Sequence, residues 1–290
     1  MLRKHVAALA LEIGERNLWR YRELQLAAEY IEAEFRRCGY VPARHAYEIS
    51  RLPVCNIEVT LPARPADGSH DASAADEIIV LGAHYDTVGG SPGANDNGTG
   101  VAAMLHLARR FAGRPQRRTI RFVAFVNEEP PFFQTPQMGS VVYANAARAR
   151  GDRIVGMLSL ETMGYFSDAP GSQQYPVEEM TGLYPDVGNF IGFVGNEESK
   201  ELLETAARAF AAHASVPLQA AAMPAGLPGA GWSDHWAFWQ AGYPGLMVTD
   251  TAPWRYPWYH TADDTPDKID FDKLTDVVNG LEHVTLALSS

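Results

Sequence analysis

Three apolar runs in this chain each break off at residue types that bind metal. Ile78-Ile-Val-Leu-Gly-Ala ends at His84, and Phe122-Val-Ala-Phe-Val leads into Asn127-Glu128-Glu129. Ile154-Val-Gly-Met-Leu-Ser-Leu ends at Glu161. Continuous apolar runs of this length fit central strands covered on both faces by helices. In open α/β sheets, ligands bind beyond the carboxyl ends of the strands. The runs therefore constrain fold and site together: a helix-covered sheet with a histidine and several carboxylates gathered along one edge.

The intervening sequence supplies the helices. Residues 21–37 place Leu24, Leu26, Ala27, Tyr30, Ile31 and Phe35 at spacings of three and four, and Gly39 stops the run. Residues 99–111, 139–150 and 198–213 read as further helices. Residues 271–288 read as a closing helix with Phe271, Leu274, Val277, Val278 and Leu281 on one face. Asn56-Ile-Glu-Val-Thr-Leu alternates as a strand, Leu246-Met-Val-Thr reads as another, and residues 62–76 read as an exposed polar loop. Alternating strands and helices predict an α/β fold, a three-layer sandwich with a central mixed, mostly parallel sheet flanked by helices. No internal repeat or long linker divides the sequence, so residues 1–290 are expected to form one catalytic domain. Residues 168–190, rich in Gly, Pro and Tyr, read as a long functional loop.

Composition narrows the function. The net charge is −11, from 24 basic and 35 acidic residues, which argues against a general nucleic-acid or anionic-membrane binder. Charged residues make up 20% and apolar residues 46%, enough for a sizeable core. Cys38 and Cys55 are too few for a disulfide framework or a cysteine-based zinc site, and whether they pair stays open. The start, Met1-Leu-Arg-Lys-His-Val-Ala-Ala-Leu-Ala-Leu-Glu12, reads as a helix start rather than a signal peptide. No apolar run approaches the roughly 20 residues that span a bilayer. A soluble, cytoplasmic protein is expected.

Histidine with carboxylates is the ligand set for zinc or a similar divalent cation. Asp86 lies two residues beyond His84, where a carboxylate can hold the far nitrogen of a ligand histidine and fix its tautomer. Asp96 sits in Gly93-Ala-Asn-Asp96-Asn-Gly98-Thr-Gly, where a turn aspartate is the competing reading. Its nearness to His84 favours a ligand, and its two oxygens can bridge two metals. Glu128 and Glu129 point in different directions, so one can ligate metal while the other moves a proton. Glu161 is a ligand candidate against the reading of a surface acid. His260, in Trp258-Tyr259-His260-Thr-Ala-Asp-Asp264, is a ligand candidate against the reading of a loop histidine. His235, beside Asp234, is not needed to complete the set. Phe132, Phe133, Trp232, Trp236, Trp254 and Trp258 suggest an apolar pocket, although core positions account for most such residues.

These pieces, with Ser159-Leu-Glu161-Thr-Met-Gly and Ser233-Asp234-His235, resemble the M28 type of zinc aminopeptidase, the bacterial leucyl and double-zinc enzymes, over about residues 80 to 270 and in the family's order. The resemblance implies two zinc ions bridged by Asp96. His84 and Glu161 would complete one site, and Glu129 and His260 the other. Glu128 would be the general base, Asp86 would orient His84, and Tyr259 would stabilise an oxyanion. It also implies a cis peptide bond after Asp96. Two features depart from the family: glutamate at 161, where many relatives have aspartate, and Pro130-Pro131-Phe132-Phe133, where relatives are often glycine-rich. The expected activity is hydrolysis of N-terminal residues from peptides. The rival readings are a single-zinc cyclase of the glutaminyl type, a carboxypeptidase or amidohydrolase on small amides, and a non-catalytic binding domain. Oligomeric state is not readable from the sequence.

Overall fold

The computed structural model describes residues 1–64 and 72–290. Residues 65–71 of the loop expected at 62–76 lie outside the described residues, and Ala72–Ala75 form a short helix. In chain order the elements are α1 (Leu2–Ala7), α2 (Tyr21–Arg37), β1 (Ala43–Ile49), β2 (Leu52–Leu61), α3 (Ala72–Ala75), β3 (Glu77–His84), α4 (Gly98–Phe111), β4 (Thr119–Phe125) and α5 (Gly139–Arg150). They continue with β5 (Arg153–Glu161), β6 (Ile191–Gly195), α6 (Lys200–Ala211), β7 (Leu218–Ala222), α7 (His235–Gln240), β8 (Gly245–Thr249) and α8 (Phe271–Ser289).

The eight strands form one sheet in the order β1-β2-β4-β3-β5-β8-β6-β7. The pairs β3–β4, β3–β5, β5–β8 and β6–β7 are parallel, and the rest are antiparallel. The expected mixed, mostly parallel sheet is therefore present. Because β3, β4, β5 and β8 run the same way at its centre, their carboxyl ends fall along one edge.

Period-two alternation along β3 sorts its side chains onto two faces. Ile79, Leu81 and Ala83 join the core formed with α2, α4 and α8, whereas Ile78 and Val80 join Tyr143, Ala147 and Phe238 of α5 and α7. Both faces are thus covered, giving three layers. Burying each large aliphatic or aromatic side chain contributes about 1.5–3 kcal/mol. The continuous apolar runs are the sequence's record of this two-sided burial.

The structure also contains β1, β6, β7 and α7, which the sequence pattern did not reveal. β1 has a mostly exposed face and β7 is half-buried with Ala220 exposed at its middle, so neither carries an apolar stripe. The expected N-terminal helix is present as α1, continued by a π-helical turn over Ala8–Ile13. Cys38 and Cys55 are both free thiols. Among the described residues, no helix is long and apolar enough to cross a membrane.

Candidate metal centre

His84 and Glu161 are the last residues of β3 and β5, and Glu128-Glu129 follow β4. Asp96 lies on the loop that leads into α4. Asn97 fixes that loop: its side-chain oxygen accepts the N–H groups of Gly100 and Thr162 at 3.1 Å, and its amide donates to the Leu160 carbonyl at 2.8 Å. The N-terminus of α4 is thereby tied to the end of β5 beside Glu161. Gly100 is required there, because a Cβ would run into the Leu160 carbonyl oxygen and the Asn97 side chain. The Asp96–Asn97 peptide bond is cis, as expected.

The two oxygens of Asp96 face different histidines. Oδ1 lies 3.3 Å from His84 Nε2, which is also 3.3 Å from Glu161 Oε2 and 3.8 Å from Glu128 Oε2. Oδ2 lies 3.1 Å from His260 Nε2, which is also 3.3 Å from Glu129 Oε2. The residues singled out in the sequence thus fall into two half-sites joined by one carboxylate. Donor atoms of His84, Asp96 and Glu129 all lie within 4.8 Å of one another.

The contacts of His260 do not form a hydrogen-bond network. Its Nε2 is buried without a hydrogen-bond partner despite the two close carboxylates, and Glu129 Oε1 is likewise buried and unpartnered. Orphaned polar atoms at this depth are costly unless something else satisfies them. Nitrogen and oxygen donors converging on a common point fit a dication of the zinc type.

The electrostatics agree. Burial raises Glu128 well above its usual range, against the pull of His84, and the charges of Glu161 and Glu129 raise it further. Burial and the neighbouring Asp96 push Glu129 up to about 7. Burial also raises Glu161. His260 is pushed down by burial, yet Asp96 and Glu129 lift it to about 10. A bound dication would offset the charge of carboxylates this crowded.

Several supporting residues had not been singled out from the sequence. Asp264 Oδ1 accepts the Asn95 N–H at 2.8 Å and Oδ2 the Asp96 N–H at 3.1 Å, which sets the approach of the Asp96 loop. Ser233 donates to Glu161 Oε2 at 2.7 Å. Arg16 is fully buried, and among the described residues its side-chain hydrogen bonds go to backbone carbonyls rather than to a carboxylate. Its guanidinium donates to the carbonyls of Tyr85, Pro92 and Gly93 at 2.6–3.0 Å, bracing the segment between His84 and Asp96. Asp264 had a weak signal in the acids around His260; Arg16 had none.

The contacts of Asp86 are broader than tautomer control. Its Oδ1 is 3.6 Å from His84 Nδ1, outside hydrogen-bond range, while its own carbonyl oxygen is 3.3 Å from that nitrogen. Its carboxylate accepts the N–H groups of Glu128 and Glu129, each at 3.1 Å. Asp86 therefore anchors the glutamate pair. Tyr259 stacks on His260 with ring centroids 3.8 Å apart.

His235 stands apart from the donor set. Its Nε2 contacts the Ala230 carbonyl at 2.8 Å, and its ring packs edge-on against Trp239. His235→Ala is expected to leave zinc content unchanged while lowering stability by about 1–3 kcal/mol. Elemental analysis beside thermal unfolding checks this, and loss of all zinc would refute the donor set.

An apolar pocket opens beside the centre, with Glu161 and Tyr259 in its wall. Gln173, Tyr175, Met180 and Tyr184 of the long loop line it, with Phe190, Phe193, Met223, Leu227, Trp232 and Trp254. Of the six aromatics considered from the sequence, only Trp232 and Trp254 reach it, stacked 5.4 Å apart. Trp236 packs against the α5–α7 core, and Trp258 lies against Tyr165 and Tyr256.

A helix-covered sheet with a histidine–carboxylate cluster at its strand ends defines the class of α/β metallohydrolases. The chain belongs to peptidase family M28, whose family model matches residues 67–285, and it is a metal-dependent peptidase of that family. It is 35% identical to the uncharacterised protein YfbL of Escherichia coli (strain K12) over 100% of this chain and 87% of that one. It is 25% identical to a probable leucine aminopeptidase of Arthroderma benhamiae over 74% of its own length, and spans 53% of that relative. BSAP, a zinc aminopeptidase from Bacillus subtilis, shares the fold with a TM-score of 0.74, 16% identity, and coverage of 98% of this chain and 93% of that one.

Proposed function

We propose that this chain is a two-zinc aminopeptidase that removes N-terminal residues from peptides, with residues 1–290 acting as one catalytic unit. The observation that carries the reading is the split Asp96 carboxylate, one oxygen toward His84 and Glu161, the other toward His260 and Glu129. These five side chains would hold the zinc. When bound, zinc would supply Lewis-acid chemistry, acidifying water and polarising a carbonyl.

Glu128 would serve as the general base. Its carboxylate, buried beside His84 and fixed through its backbone by Asp86, would take a proton from the attacking water and deliver it to the departing amine. Asp86 holds Glu128 and Glu129 in register through their adjacent N–H groups, so base and ligand cannot drift apart. The Tyr259 hydroxyl would donate to the carbonyl oxygen as charge develops there. The apolar pocket would take the side chain of the N-terminal residue, and the surrounding carboxylates would favour its ammonium group.

A metal count and a substrate panel test the reading. Two zinc ions per chain are expected, with cleavage of aminoacyl amides and none of N-acylated analogues. Cleavage only of acylated or small amides would indicate an amidohydrolase or carboxypeptidase. Cyclisation of N-terminal glutamine with one zinc would indicate a cyclase. Binding without turnover would indicate a non-catalytic domain.

A further inference from the structure

The Pro130-Pro131-Phe132-Phe133 segment leaves the Glu128-Glu129 pair, and its Phe132 is paired with an exposed aromatic residue from the start of the chain. Trp19 is 67% exposed; it and Trp232 are the two exposed tryptophans among the six in the chain. Trp19 stacks on Phe132, with ring centroids 6.5 Å apart and planes inclined by 28°.

The backbone beneath both rings is tied to segments that carry residues of the candidate centre. Phe132 donates its N–H to the Glu129 carbonyl at 3.0 Å, so it sits on the turn leaving that ligand. Its ring packs partly against the main core. Trp19 donates its N–H to the Asn17 side-chain oxygen at 3.0 Å, and Asn17 Nδ2 donates to the Thr87 carbonyl at 3.2 Å, one residue beyond Asp86. Gln134 Nε2 donates to the Gly231 carbonyl at 3.1 Å, joining the same turn to the wall that carries Trp232.

This ledge is not part of the apolar pocket. No residue from 127 to 135 lines that pocket, whose contacts with the centre are Glu161 and Tyr259. The ledge springs instead from Glu129, in the other half-site. A peptide with its first side chain in the pocket would continue past the scissile bond on the Glu129 side, from which the Phe132 turn leaves and against which Trp19 stacks.

Resting on the aminopeptidase reading, we propose that Trp19 and Phe132 form a subsite for the residue after the scissile bond, selecting peptides with a large apolar or aromatic second residue. An aromatic side chain gains both buried area and ring stacking on such a ledge, whereas glycine gains neither. Trp19 acts here as a specificity-determining residue, with no part in the bond-breaking step.

The test compares Leu-NH2, Leu-Gly-NH2 and Leu-Phe-NH2 on zinc-loaded wild-type protein and on Trp19→Ala, whose exposed position makes misfolding an unimportant risk. Wild type is expected to favour Leu-Phe-NH2 over Leu-Gly-NH2 by roughly tenfold in kcat/KM, the size of one well-made aromatic contact. Trp19→Ala should erase that preference and leave Leu-NH2 within about twofold, while Trp19→Phe restores most of it. An equal loss on all three substrates, or a preference that survives Trp19→Ala, overturns the proposal. If none of the three is cleaved, the aminopeptidase reading falls separately, and the amides become uncleaved ligands for calorimetry. Tighter binding of Leu-Phe-NH2 that disappears in Trp19→Ala then supports the ledge, and equal binding overturns it.

Discussion

Glu128→Gln is expected to lower kcat by about 10²–10⁴-fold, the usual contribution of a general base, while zinc per chain stays at the wild-type value. The amide keeps the size of the side chain and its place on the turn, so Asp86 still accepts the N–H groups of residues 128 and 129. What it loses is the ability to take a proton. Metal retention follows from geometry: Glu128 Oε2 is 3.8 Å from His84 Nε2, farther than Asp96 Oδ1 or Glu161 Oε2, each at 3.3 Å. The substitution also removes one buried negative charge from a crowded set. Turnover is measured beside zinc content on the same preparation. Activity near wild type would remove Glu128 from the base role, and loss of both metals would make it a ligand instead.

His84→Ala and His260→Ala should each lose bound zinc and activity. Altering a group that merely orients a ligand weakens metal binding by roughly 10–100-fold, so deleting a direct ligand should cost on the order of 100-fold or more. In the proposed two-zinc set each histidine would serve one half-site, so each variant should lose one ion more completely than the other, whereas Asp96→Ala should lose both. His84 is 1% exposed in its side chain and His260 30%, so His84→Ala also leaves the deeper cavity and the larger stability loss. Competition with a chromophoric chelator and elemental analysis read the outcome. Full zinc content in either histidine variant would break the proposed set.

Much of the central architecture was legible in the chain, because two-sided burial forces continuous apolar runs. β3, β4 and β5 were visible for that reason, and so was the clustering of His84, Glu128, Glu129 and Glu161 at their ends. α2 and α8 were visible from their helical apolar stripes. β1 and β7 were not, because strands at the two edges of a sheet bury only part of one face and leave a weak pattern. α7 is too short for a periodic signal to emerge.

The site divides along the same line. Local sequence determined which residue types stand at the strand ends: a histidine and an aspartate two residues apart, a glutamate pair, a lone glutamate. Only the tertiary structure decided how the Asp96 oxygens are shared, since His84 and His260 approach them from opposite parts of the chain. It also decided that Asp264 would hold the Asp96 backbone across 168 residues of sequence. Arg16 is the clearest case. Arginine is almost never fully buried unless paired, and here backbone carbonyls from separate segments take its hydrogen bonds while the charges of Asp264, Asp86 and Asp96 act on it from nearby. No pattern within the chain encodes such a convergence, because the carbonyls are identical in every residue and only their positions in the fold distinguish them.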